Sequence, residues 1–169
     1  MDAASSPTLL TALGADLAPA LQSWGVARFL RESLWAYPAV SALHLVGIAL
    51  LLGSIAVVDA RLLGFARRVA VVDVVQAAWP FSVAGVALAV GTGPLLFVVQ
   101  PAEYLVNRAF FWKLLLLCAA LANVALFHAS FAGVLRGARP VVRGVRVQAV
   151  LSLLLWLGVL LAGRMIAFV

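Results

Sequence analysis

This chain has few charged residues and a single cysteine. Charged residues make up 11% of the 169-residue sequence and hydrophobic residues 66%, a balance far outside that of soluble globular domains. The single cysteine, Cys118, excludes an internal disulfide. The composition therefore predicts an integral membrane protein without a disulfide framework.

The sequence also lacks the motifs of soluble enzymes and of nucleic-acid-binding proteins. No phosphate-binding loop, nucleophile elbow or zinc-protease motif occurs, and the six acidic residues fall at or beyond the expected membrane edges. They are Asp2, Asp16, Glu32, Asp59, Asp73 and Glu103. The net charge of +6 comes from arginines that flank apolar stretches, where anionic lipid headgroups attract them. We expect neither an enzymatic activity nor a nucleic-acid partner.

Four long uncharged stretches dominate what is present. They cover residues 33–58, 74–102, 114–135 and 147–163. A membrane-spanning helix needs about 20 apolar residues, and helices satisfy their own backbone hydrogen bonds in lipid. The sequence predicts an all-α, four-helix transmembrane bundle over residues 35–169, with helices near 35–59, 78–100, 110–135 and 147–168.

Residues 1–34 have a different pattern from the four spans. Leucines and one tryptophan recur at helical spacing in this segment. They are Leu9, Leu10, Leu13, Leu17, Leu21 and Trp24. We interpret residues 1–34 as an amphipathic helical segment that lies on the outer membrane surface, and Pro19 is expected to interrupt it.

Arginine is distributed unevenly between the two ends of the predicted bundle. Seven basic residues follow the first and third spans, and four lie at the opposite end. The seven are Arg61, Arg67, Arg68, Arg136, Arg139, Arg143 and Arg146, and the four are Arg28, Arg31, Arg108 and Lys113. Cytoplasmic loops carry the excess of Lys and Arg. The pattern predicts a multi-pass protein of the bacterial inner (plasma) membrane with both termini on the outer, periplasmic face.

The only two histidines, His44 and His128, lie inside the apolar stretches. An ionisable group within a bilayer is costly and marks a candidate functional site. By residue count, His44 shares the outer half of the bundle with Cys118 and Met165, and imidazole, thiolate and thioether together suit Cu(I). These three residues are the predicted metal ligands. The alternative is that His44 only hydrogen-bonds a serine or a backbone carbonyl.

Residue counting also separates the two histidines in depth. At about 1.5 Å of rise per residue, His44 and His128 differ by roughly 13 Å along the bundle axis. A b-type haem, the other cofactor considered, is therefore not expected to bind both histidines as axial ligands.

Four further residues are candidates because they are polar and lie near membrane edges or within a span. They are His128, Arg164, Lys113 and Glu32. We expect His128 to hydrogen-bond a neighbouring helix. Arg164 is expected to extend towards the outer surface and to pair with Glu32 or with the terminal carboxylate.

Two helix motifs carry a resemblance to a known family. Residues 43–53, LHLVGIALLLG, and residues 110–117, FFWKLLLL, resemble the membrane part of the copper-resistance protein D family. With Ala162-Gly163-Arg164, the chain from about Trp24 onwards resembles still more closely an uncharacterised bacterial family of four-helix membrane proteins. The copper family implies copper transfer from the periplasmic side, with intramembrane His and Met as ligands.

The sequence thus leaves two functions open. One is the handling of copper near the outer half of the bundle through His44. The other is that of a b-type haem membrane cytochrome or of an anchor subunit in a larger complex. The expected partners are the lipid bilayer and either a periplasmic metal-carrying protein or a second copy of the chain.

Overall fold

The structure is a computed structural model that describes residues 18–168, and six helices lie wholly within this range. They are α1 (Gly25–Glu32), α2 (Ala36–Leu63), α3 (Val71–Val99), α4 (Pro101–Val106), α5 (Arg108–Leu135) and α6 (Arg143–Met165). Residues 18–22 are also helical, and no strand occurs among the described residues. Residues 1–17 of the predicted interfacial segment lie outside the described part of the chain.

Within residues 18–168, four helices are long and apolar enough to cross a membrane, namely α2, α3, α5 and α6. Their outward faces carry large apolar side chains such as Leu45, Leu126 and Leu154, and these are exposed. Apolar surface of this kind is stable against acyl chains and unstable against water. The prediction of an all-α, four-helix membrane bundle is confirmed.

Three helix ends differ from the predicted ones by four residues or more, and one of them is the start of α6 at Arg143 instead of near residue 147. α2 continues to Leu63, and Gly64 ends it in the left-handed conformation at φ 109°, which glycine adopts without a Cβ penalty. α3 begins at Val71 instead of near residue 78, with Asp73 in its first turn, where a carboxylate favours the helix dipole. Both helices therefore extend beyond their uncharged stretches, and Asp59 lies within α2.

The four spans form two helical hairpins. α2 packs along α3, and α5 packs along α6. Glycines permit the first contact, because a Cβ on Gly85 would lie 2.5 Å from the Leu51 backbone nitrogen and one on Gly47 would lie 2.9 Å from that of Ala89. Small residues at helix crossings are the usual means of close association in membranes. α2 also contacts α6, whereas α3 and α5 contact each other only weakly.

The hydrophobic core lies at one end of the bundle, where α2 finishes and α6 begins. Its buried members come from three of the spans. They are Leu62, Phe127, Val134, Val145 and Ala149. This is the end that carries the arginine-rich loops.

α1 rests on the opposite end of the bundle. Ala27 and Leu30 are buried, whereas Trp24 and Phe29 are exposed. The Arg31 guanidinium donates to the carbonyl oxygen of Val99 at 3.3 Å, one of the carbonyls that the end of α3 leaves without a helical partner. It also donates to Gln22 O at 2.6 Å. Arg31 thus fixes the amphipathic α1 across the end of α3.

Candidate ligand cavity within the bundle

A cavity of about 1830 Å³ runs through the bundle between the two hairpins. All four spans and α4 line it, and most of its lining atoms are apolar. It extends from Glu103 and Tyr104 near α1, which we call the outer end after its predicted orientation, to Leu62 and Leu135 beside the core, which we call the inner end. The length follows from the hairpin arrangement, since α3 and α5 do not close against each other.

The cavity opens sideways between α3 and α5. Several of its lining residues on these two helices are also exposed. They are Trp79, Val86, Val90 and Pro94 on α3, and Leu114, Leu121 and His128 on α5. Because both helices have the length and composition of membrane spans, this opening faces the acyl chains of the bilayer. We call it the lateral cleft.

His44 lies on the cavity wall at a hydrogen-bonded position. Its Nδ1 is 2.8 Å from the Thr92 hydroxyl oxygen. That hydroxyl donates its own proton to the carbonyl oxygen of Leu88, so it accepts from His44 Nδ1–H. In the neutral ring the free lone pair is therefore on Nε2.

Two glycines shape the outer half of the cavity around His44. A Cβ on Gly93 would lie 3.4 Å from His44 Cε1, so this glycine brings α3 close to the imidazole edge. On α6, a Cβ on Gly163 would lie 3.6 Å from Lys113 Cε and 3.8 Å from Lys113 Nζ. The half-buried Lys113 therefore crosses α6 over a glycine and places its cation at the same end of the cavity as His44.

Aromatic rings and polar groups form the outer rim. Phe97, Tyr104 and Phe110 lie in mutual ring contact, with centroids 5.4–5.9 Å apart. Burial raises the pKa of the Tyr104 phenol, and the neighbouring Tyr37 and Glu103 raise it further. Tyr104 thus stays a neutral hydroxyl at neutral pH. Asn107 caps α5 by accepting from Phe110 N at 3.2 Å and ties the rim to α6.

The three predicted copper ligands do not share the cavity. His44 lines it, whereas Cys118 and Met165 are exposed and do not belong to its lining. Among the described residues, no group of three or more His, Cys, Asp or Glu side chains could hold a metal ion. The cavity thus contains only one of the three predicted ligands, and copper binding by His44, Cys118 and Met165 stays a prediction from the sequence.

His128 stands at the mouth of the lateral cleft, far from His44. Its Nδ1 is 2.9 Å from the Val124 carbonyl oxygen of its own helix, not from a neighbouring helix as expected. The adjacent Phe127 packs with Leu62 in the core. Leu62 follows His44 by 18 residues on α2, which corresponds to about 27 Å of helix. The two histidines therefore lie at different depths.

The remaining candidate residues, Glu32 and Arg164, make contacts within their own segments. Glu32 pairs with Arg28 at 3.8 Å, and both side chains are largely exposed. The Arg164 guanidinium lies 4.8 Å from the ring centroid of Phe168, which is a cation–π distance. In place of the expected pairing of Arg164 with Glu32, each charge has a partner on its own segment. The alternative partner, the terminal carboxylate of Val169, lies outside the described residues.

Sequence reasoning missed two polar residues in the inner half of the cavity. Asp59 is 7% exposed and Trp156 is 5% exposed, and both line the cavity. The sequence places Asp59 at the membrane edge, because the uncharged stretch of the first span ends at residue 58. A signal was available: Ser152 and Trp156 are one helical turn apart in the fourth span, so they present a hydroxyl and an indole N–H on one face.

Comparison of the chain with protein-family models, with curated proteins and with solved structures gives no match. The resemblance to the copper-resistance protein D family therefore stays a prediction, and the chemistry of the cavity follows from its own residues.

Proposed function

We propose that this protein binds a b-type haem in the outer half of the cavity, with His44 Nε2 as an axial ligand. The observation that carries the proposal is the hydrogen-bond chain from His44 Nδ1 through Thr92 to Leu88 O. Histidines that ligate metals donate their other ring N–H to a fixed acceptor, which sets the tautomer and the ring orientation. His44 has this arrangement before any ligand is considered.

A porphyrin suits this cavity better than a bare metal ion does. A copper ion needs two or three further ligands from the protein, and the described residues do not gather them around His44. A haem brings four nitrogen ligands and requires one or two from the protein. One correctly oriented histidine in a large apolar cavity is therefore sufficient for haem and insufficient for copper.

The walls around His44 also suit a flat, apolar group with anionic edges. Gly93 carries no side chain beside the imidazole. Lys113 and Arg108 line the outer end of the cavity and are the cations that would pair with haem propionates. Apolar lining residues of the cavity would keep water away from a bound haem. Bound there, haem would supply one-electron transfer within the membrane.

The proposal places the protein in a bacterial inner membrane, with α1 and both termini on the periplasmic side. The arginine-rich ends of α2 and α5 support this orientation. Under it, the haem lies near the periplasmic surface, where a soluble redox partner or a larger membrane complex can approach it. A periplasmic copper carrier and a homo-oligomer stay predictions from the sequence.

The test is the visible spectrum of protein purified in mild detergent from cells supplied with a haem precursor. Wild-type protein should show a Soret band, and His44→Ala should lose it because the axial ligand is gone. His128→Ala is the matched control and should keep the band. Copper analysis of the same three samples tests the copper prediction directly.

Two results would overturn the haem proposal. One is a wild-type protein without a Soret band even after titration with hemin, and the other is an unchanged band in His44→Ala. Loss of the band in His128→Ala alone would instead assign the axial role to the cleft mouth and remove His44 from the site.

A further inference from the structure

Two buried polar atoms in the inner half of the cavity lack hydrogen-bond partners among the described residues. They are Oδ2 of Asp59 and Nε1 of Trp156. Burial of an unpaired donor or acceptor lowers the stability of the folded state, and burial of an unpaired carboxylate oxygen lowers it further. Native proteins keep few such groups, and each needs an explanation.

The two atoms belong to one neighbourhood. The Ser152 side chain lies beside the Asp59 carboxylate, so α6 meets α2 at this position. Trp156 follows Ser152 by one turn of α6 and is buried on the same face. Both Asp59 and Trp156 line the cavity. A carboxylate acceptor and an indole donor are thus available to the same occupant of the inner half.

The other polar groups nearby already have partners. Ser82 donates to the Ser54 hydroxyl oxygen at 2.7 Å, and Ser54 donates to Leu51 O at 2.9 Å. Asn123 and Gln148 donate to each other's backbone carbonyls at 3.5 and 3.1 Å. These residues do not compete for a ligand.

No described basic residue neutralises Asp59 in place of a ligand. Arg61, the arginine closest to it in sequence, is directed to the loop and donates to the carbonyl oxygens of Val69 and Arg67. No cluster of three or more metal-ligating side chains surrounds Asp59 within residues 18–168. The pair therefore calls for a neutral group that donates one hydrogen bond and accepts another.

We propose that Asp59 and Trp156 bind the hydroxyl group of a membrane-soluble amphiphile, such as an alkylphenol or a long-chain alcohol. A hydroxyl donates to Asp59 Oδ2 and accepts from Trp156 Nε1–H, so one oxygen satisfies both atoms. The apolar body lies in the lateral cleft, through which the molecule enters from the acyl-chain region. This site is separate from the proposed haem site and does not depend on it.

The experiment measures binding of radiolabelled 4-nonylphenol to the full-length protein in lipid nanodiscs, corrected for binding to empty nanodiscs. Its methyl ether is the matched ligand, because it keeps the apolar body and the acceptor oxygen and carries a methyl group in place of the hydroxyl proton. The phenol should bind wild-type protein about tenfold more tightly than the ether, the effect of one hydrogen bond to a charged group.

Conservative variants then assign the effect to the two residues. Trp156→Phe removes the indole N–H, Asp59→Asn removes the charge, and each should weaken phenol binding about tenfold. Trp112→Phe and Asp73→Asn are the controls, since neither residue lines the cavity, and both should bind as wild type does.

Equal affinity of the phenol and the ether for wild-type protein would overturn the proposal and would indicate water as the partner of both atoms. That comparison needs no variant and holds even if one variant folds poorly. Wild-type affinity in both Trp156→Phe and Asp59→Asn would also overturn it.

Discussion

At the scale of single residues, Thr92 decides which nitrogen of His44 is available to a ligand. A residue with only a donor in this place would reverse the tautomer and direct the lone pair into α3. The threonine hydroxyl has one proton, and the Leu88 carbonyl takes it. Thr92 is therefore a positioning residue, and its effect on any ligand passes through His44.

The corresponding prediction concerns Thr92→Val, which replaces the hydroxyl by a methyl group of similar size. Haem affinity measured by hemin titration should fall by about 10- to 100-fold, the range seen for partners of metal-ligating histidines. Thr92→Ser keeps the hydroxyl and is the control. Unchanged affinity in Thr92→Val would show that the hydrogen bond does not orient the ring.

Some residues of the cavity could be predicted from the sequence and others could not. His44 was predictable because an isolated histidine in an apolar stretch is conspicuous. Its partner Thr92 was not, because a threonine in a span is common and the contact depends on how α2 and α3 cross. Asp59 was misplaced by one helical turn, which is enough to turn an edge residue into a buried one.

At the scale of helices, close packing between α2 and α3 depends on Gly47 and Gly85. The two backbones cross so closely that neither position has room for a side chain. It also places Thr92 and Gly93 opposite His44, two turns further along α3. The geometry of the outer half of the cavity is thus a consequence of this crossing.

We therefore predict that Gly85→Ala destabilises the protein by about 1–3 kcal/mol, the usual cost of overpacking. The new Cβ would meet backbone atoms of Leu51, which cannot rotate away. Gly53→Ala is the matched control, because no atom lies within 4 Å of its Cβ position and alanine favours a helix. Unfolding in detergent, monitored by circular dichroism, measures both. Equal stability of the two variants would contradict the close crossing.

At the scale of the whole molecule, the four spans were predictable because long uncharged stretches have few alternatives in a membrane chain. Their lengths were less so, since α2 and α3 continue past the last apolar residue into charged turns. The cavity was not predictable at all. It arises from which helices touch, and the weak contact of α3 with α5 has no signature in either helix alone.

Orientation in the membrane gives a prediction at the same scale. Alkaline phosphatase fused after Val169 should be active, because the C-terminus is expected on the periplasmic side. The same reporter inserted at Gly137, in the arginine-rich loop after α5, should be inactive. Activity only at Gly137 would invert the orientation and move the His44 end of the cavity to the cytoplasm.

Because the lateral cleft faces the acyl chains, occupancy of the cavity depends on the ligand concentration within the lipid and not in the water. For a molecule that enters from the acyl chains, the relevant quantity is the ratio of ligand to lipid molecules. Its concentration in the water does not set the occupancy directly. Adding lipid or detergent at a fixed total amount of ligand therefore empties the cavity by dilution within the apolar phase. Two laboratories that use different protein-to-lipid ratios would report different apparent dissociation constants for the same intrinsic affinity.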